Sequence, residues 1–166
     1  RGLGDVYKRQ DRVIALVVQP GVEFADESVV EYDRAAARDL TASLDAWPGL
    51  VFEGHSTDYQ SKERLREMVE DGIAILKVGP ALTFALREGL FALERIEAEL
   101  GRLRPFPASA FRDTLEWAMR ENDQYWGGYY HGHESDQRYA RAFSFSDRAR
   151  YYLPCLLYTS PSPRDA

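Results

Sequence analysis

Three short apolar runs constrain this chain most. Each is stopped by turn residues, and each is followed by a segment with helical periodicity. Residues 13–18 (VIALVV) end at Gln19-Pro20-Gly21. Residues 50–53 (LVFE) run into Gly54-His55-Ser56-Thr57-Asp58, and residues 73–78 (IAILKV) are closed by Gly79-Pro80. Continuous β-branched runs of this length read as strands buried on both faces of a parallel sheet. Between them, residues 29–47 carry Val29, Tyr32, Ala36, Leu40 and Leu44 near helical spacing, stopped by Pro48-Gly49. Ser61 is placed to cap a second helix with Leu65, Met68 and Val69 on its apolar face and Gly72 at its end. Residues 81–100 form the longest predicted helix, with an apolar stripe of Leu82, Leu86, Leu90, Leu93, Ile96 and Leu100.

Strand and helix thus alternate with short connections. That pattern predicts an α/β fold, in which the runs pair in parallel and in sequence order through right-handed helical crossovers. It fits either a doubly wound sheet or a (β/α)8 barrel. No glycine-rich phosphate fingerprint follows any strand, which argues against the nucleotide-binding sheets. The expectation is therefore part of a TIM barrel, about its last three βα units, because three units cannot close a barrel of eight. From residue 103 the pattern changes. A helix is expected around residues 109–122, followed by an aromatic stretch that includes Tyr125, Trp126, Tyr129, Tyr130, Tyr139, Phe143 and Tyr152, with Ser146 capping a last short helix. The predicted organisation is residues 12–102 as barrel and 103–154 as a helical, aromatic-rich appendage. Residues 1–11 and 155–166 are read as foreign tails, because RGLGDVYKRQ and CLLYTSPSPRDA resemble translated sequencing adapter.

Charge and composition narrow the function. A net charge of −6, with no cluster of Lys or Arg, argues against nucleic acid as a partner. The single cysteine, Cys155, rules out a disulfide framework and a cysteine zinc site. No apolar run is long enough to span a membrane, and no signal peptide is visible, so a cytoplasmic protein is expected.

Parallel α/β barrels build their sites at the carboxyl ends of the strands. The polar residues there are Glu23, Glu53, His55, Asp58 and Lys77, which are the candidate ligand-binding residues. Glu53 and His55 fall on the same side of an extended segment. They read either as a remnant sugar-phosphate site or as a network that orders the loop before Ser61. Lys77 would hold a phosphate or pair with Glu53 or Asp58. His131-Gly132-His133 reads as solvated turn residues in preference to a metal site. The aromatic stretch reads as packing or as a protein interface, and no Ser-His-Asp arrangement can be assigned around Ser56.

Four strings carry a family resemblance: VVQPGVEF (17–24), GHSTDYQ (54–60), ILKVGPALTFALRE (75–88) and SFSDRARYYLP (144–154). Together they resemble the GatZ/KbaZ family, the Z-type subunit of class II D-tagatose-1,6-bisphosphate aldolase, over residues 12–154. The resemblance implies a barrel longer than this chain and a non-catalytic role: stabilising and activating a separate catalytic Y-type subunit in galactitol or N-acetylgalactosamine breakdown. Some members also carry the label tagatose-6-phosphate kinase, so an enzyme acting directly on ketose phosphates is the alternative. A fainter likeness to the catalytic class II aldolases puts His55 where those enzymes carry a zinc histidine before a phosphate loop. Gln19-Pro20-Gly21 stands where another histidine is expected, and Lys77-Val78-Gly79 where an asparagine follows Lys-Val. That leaves His55 as at most a remnant ligand, since catalytic zinc takes three protein ligands. The resemblance thus implies no catalytic residue and no cofactor in this subunit, with zinc in the catalytic partner.

Overall fold

Backbone hydrogen bonding joins the predicted strands in the predicted sense. The computed structural model describes residues 12–154, which fall into two compact units: residues 12–24 with 28–78, and residues 25–27 with 79–154. The expectations placed on residues 1–11 and 155–166 lie outside the described residues.

In the first unit, β1 (Ala15–Val18), β4 (Val51–Gly54) and β5 (Ile75–Leu76) form a parallel sheet in that order. Val17 stands opposite Glu53, and Glu53 opposite Ile75. The last strand is shorter than predicted because Ile73 still belongs to the end of α2 (Lys62–Glu70). Gly72 at φ 89° takes the left-handed position. Ile73 N–H reaches the Met68 carbonyl at 2.9 Å, and Gly72 N–H reaches the Val69 carbonyl at 3.2 Å. This is the double bond of a Schellman motif, and it turns the chain from helix into strand. At the other end of α2, Ser61 Oγ accepts from Arg64 N–H, as its sequence position predicts.

Two expectations fail here. Residues 29–47 are not one helix. Val29–Val30 is strand β3, paired antiparallel with β2 (Glu23–Phe24). Helix α1 is confined to Arg38–Ala42 and runs into a 3-10 turn at Ser43–Ala46. The cause is the buried Gln60 side chain. Its Oε1 accepts from Tyr32 N–H at 2.8 Å and its Nε2 donates to the Val30 carbonyl at 3.0 Å, which holds this stretch extended. Asp33 Oδ1 then takes the Ala35 and Ala36 amides and starts the helical turns. The first and last strands are also not buried on both faces, and Ile75 in the last one is 36% exposed. Among the described residues β1 pairs only with β4, and Val17 is 60% exposed. The core of this unit is Val22, Tyr32, Phe52, Met68 and Ile73.

The second unit is helical: α3 (Pro80–Leu103), α4 (Phe111–Glu121) and α5 (Glu134–Phe143). Its core gathers Phe91, Leu115, Met119, Trp126, Tyr130, Tyr152 and Leu153. The face of α3 that enters this core is not the leucine stripe. Phe91 packs edge-on against Phe111 and Phe143, and Arg87 is fully buried. Leu82, Leu86, Leu93 and Ile96 are all more than half exposed. The aromatic segment selects the face: Phe111 and Phe143 meet Phe91, Phe145 meets Phe84, and Asp147 pairs with Arg87. Helix α5 has no counterpart in the sequence reading. It begins at His133, whose Nδ1 accepts from Ser135 N–H while Asp136 Oδ2 accepts from His133 N–H. Ser146 does not cap the final turn. Asp147, at φ 42°, precedes the 3-10 turn Arg148–Tyr151. No helix among the described residues is long and apolar enough to cross a membrane.

Candidate functional site

The ladder continues one step past the strands. His55 N–H donates to the Val18 carbonyl at 2.9 Å, and Lys77 N–H donates to the Gly54 carbonyl at 3.0 Å. His55 and Lys77 therefore sit at one level, beyond the carboxyl ends of β4 and β5. Glu53, two residues before His55, shares its side of the strand. Their side chains meet: Lys77 Nζ is 3.4 Å from His55 Nε2, and Glu53 Oε1 is 3.5 Å from that same nitrogen. The group stays in contact with water, with His55 39% and Glu53 27% exposed.

The loop after His55 is held in a costly shape. Ser56 (φ 57°) and Tyr59 (φ 61°) are non-glycine residues in the left-handed region, at about 1–2 kcal/mol each. Burial and hydrogen bonding offset this. Thr57 is buried and its hydroxyl donates to the Lys77 carbonyl at 3.0 Å, which ties the loop to the end of β5. Tyr59 stacks edge-on against Phe24. Gly54 leaves no space for a side chain, since a Cβ there would lie 2.8 Å from Ile73 Cγ2.

Of the five candidate residues, the structure brings Glu53, His55 and Lys77 together. Asp58 is buried in the loop instead, with 3% of its surface exposed. Glu23 is taken up elsewhere: Gln19 Nε2 donates to its Oε2 at 2.6 Å, and Phe24 N–H donates to Oε1. Among the described residues no three His, Cys, Asp or Glu side chains are grouped so as to hold a metal. The donor set at His55 is also a poor match for zinc. A zinc ion needs the Nε2 lone pair at about 2.0 Å, and that nitrogen already faces the Lys77 ammonium. The same ammonium, exposed and carrying three donors, suits a phosphate oxygen.

The family model for D-tagatose-1,6-bisphosphate aldolase subunits of the GatZ/KbaZ-like type matches residues 1–158. The chain belongs to this GatZ/KbaZ-like family. Among solved structures it is similar to a probable tagatose 6 phosphate kinase from Sinorhizobium meliloti 1021, with a TM-score of 0.83 and 51% sequence identity. That match covers 90% of this chain but only 38% of the other, so the chain spans well under half of its solved relative.

Read within the GatZ/KbaZ-like family, the strings singled out in the sequence divide by job. GHSTDYQ supplies His55, the strained loop and the Gln60 clamp on β3. ILKVGP supplies Lys77 and the start of α3. Sequence reasoning missed the buried cluster behind SFSD. Arg87 Nε donates to Asp147 Oδ1 at 2.9 Å with both side chains shut off from solvent. It also missed Arg141, which is 1% exposed, grips Glu116 with two nitrogens and packs over Trp126. A charged residue inside an apolar pattern is the only signal either leaves, and many solvated arginines leave the same one.

Proposed function

We propose that this chain is part of the non-catalytic Z-type subunit of class II D-tagatose-1,6-bisphosphate aldolase, completing a TIM barrel in the longer protein. In this reading it stabilises and activates a catalytic, zinc-bearing Y-type subunit in the cytoplasmic breakdown of galactitol or N-acetylgalactosamine. One observation supports the non-catalytic role: the Lys77 ammonium lies 3.4 Å from His55 Nε2, where a cation would compete with a metal for that nitrogen. Glu53, His55 and Lys77 then form a rim that binds a sugar phosphate without turning it over. Lys77 meets the phosphate, while His55 and Glu53 take hydroxyl groups.

The test uses a full-length family member, alone and with its Y-type partner. Cleavage of tagatose bisphosphate is expected only with the partner present, and the Z-type chain should raise the partner's rate or lengthen its active lifetime. Metal-dependent cleavage by the isolated Z-type chain would refute the reading. The name of the S. meliloti relative favours a second reading, direct phosphorylation of tagatose 6-phosphate. ATP-dependent formation of the bisphosphate by the purified Z-type chain would establish it instead.

A further inference from the structure

Ser144 and Asp147 lie on one short segment and reach two different parts of the chain. Ser144 Oγ donates to Asp26 Oδ1 at 2.6 Å, and Phe145 N–H donates to the Asp26 carbonyl at 2.9 Å. On the other side, Asp147 Oδ1 accepts from Arg87 Nε at 2.9 Å, and its Oδ2 lies 2.5 Å from the Thr83 hydroxyl. The segment between these anchors is itself fixed. Asp147 N–H donates to the Ser144 carbonyl at 3.0 Å, and Ser146 N–H donates to Ser144 Oγ at 3.1 Å. Arg150 holds the Asp147 carbonyl at 3.0 Å, and Phe145 packs edge-on against Phe84. Ser144 and Asp147 are each 1% exposed.

We propose that Ser144 and Asp147 are positioning residues, clamping the connection at residues 25–27 to the first turns of α3 so that the two move as one. Charge-assisted hydrogen bonds of this length are strong. Opening the Arg87–Asp147 pair would strand an uncompensated charge out of solvent. Neither anchor can therefore let go while the short segment keeps its shape. The clamp bears on the rim through chain connectivity, and this part rests on the reading given under Proposed function. Residue 25 directly follows β2, which carries Glu23, and Gly79 follows Lys77 by two residues.

The experiment is hydrogen exchange on the whole 166-residue chain carrying Leu86→Gln, Leu93→Gln and Ile96→Gln to keep it monomeric, comparing that background with the same chain bearing Ser144→Ala or Thr83→Val. Ser144→Ala removes the side-chain bond to Asp26 and the acceptor for Ser146 N–H, and Thr83→Val removes a contact to Asp147 while keeping its shape. Each variant is expected to quicken exchange about threefold or more at both 25–27 and 79–87, with β4 and α2 unchanged. Ser144→Thr should restore the background rates. If each variant loosens only the segment it touches, the clamp is overturned. A second arm follows the Lys77 amide during titration with inorganic phosphate. Ser144→Ala should weaken that binding about threefold. A background chain that ignores phosphate would sink the rim reading and leave the exchange arm to decide the clamp by itself.

Discussion

Tyr32 Oη donates to Asp71 Oδ2 at 2.9 Å, and Arg34 Nε donates to that same oxygen at 2.9 Å. Burial, and then the bond to Asp71, hold the Tyr32 phenol well above its ordinary value of 10.0. The folded chain thus keeps this proton where the unfolded chain begins to lose it. The resulting stability is fully present below about pH 10 and falls as the pH rises from there toward the folded value. The denaturant midpoint should drop across that alkaline range in the wild type and drop less in Tyr32→Phe. Identical slopes for the two proteins would show that Tyr32 is not the group responsible.

The Arg87–Asp147 pair should be costly to break on one side only. Arg87→Met leaves Asp147 charged and buried, and a loss of about 3–5 kcal/mol is expected from urea unfolding followed by near-ultraviolet circular dichroism. Replacing both residues with apolar ones should recover a good part of that loss. A single variant as stable as the wild type would mean that solvent reaches the pair.

Gln60→Ala should destabilise the chain by about 1–3 kcal/mol, because it strands the buried Tyr32 amide and frees the Val30 carbonyl. Gln60→Glu keeps the acceptor and loses the donor, so its cost should fall on the Val30 side alone. Amide exchange at Tyr32 separates the two: fast in the alanine variant, slow in the glutamate one.

Gly54→Ala tests the packing beneath the rim. The new methyl would meet Ile73 Cγ2 at 2.8 Å and Thr57 Cγ2 at 3.2 Å. Overpacking of this kind costs about 1–3 kcal/mol. A thermal melt unchanged from the wild type would show that β4 and the loop can move apart freely.

The outer face of α3 should make the isolated chain self-associate. Leu82 is 67%, Leu86 56%, Leu93 56% and Ile96 55% exposed, and among the described residues β1 is paired on one side only, with Val17 exposed. Contiguous apolar surface and unpaired strand edges both recruit other chains. Light scattering behind a sizing column should find aggregates at micromolar concentration, and Leu86→Gln with Leu93→Gln and Ile96→Gln should raise the monomer fraction. A monomeric wild type would overturn this expectation.

The parallel strand order was legible because it needs only local signals: apolar runs, their lengths and the turn residues between them. The Ser61 cap and the Gly72 helix end were legible for the same reason. What the sequence hid depends on contacts far along the chain. Residues 29–32 have helical spacing on paper, yet the amide that holds them extended belongs to Gln60. The face that α3 buries was decided by Phe111, Phe143 and Asp147, not by its own leucines. His133 gave no warning of a helix start, because an imidazole standing in for a serine or aspartate cap is rare. At the rim, periodicity placed Glu53, His55 and Lys77 on one edge. It could not tell that Asp58 turns inward or that Gln19 claims Glu23, since both outcomes rest on the path of single loops.

Gln60 also exposes the fold to chemical ageing. Hydrolysis of its amide by water would release ammonia and put OH in place of NH2, a gain of about one mass unit, and the acid would then ionise. The acceptor facing Tyr32 would survive, but the donor facing the Val30 carbonyl would become a second negative oxygen aimed at a lone pair. β3 would then lose its tether while everything around it kept its shape. The small solvent exposure of this side chain, 8%, therefore serves as shelter as well as packing. A preparation stored warm and alkaline should fail first at β3, well before the sheet that carries His55 and Lys77.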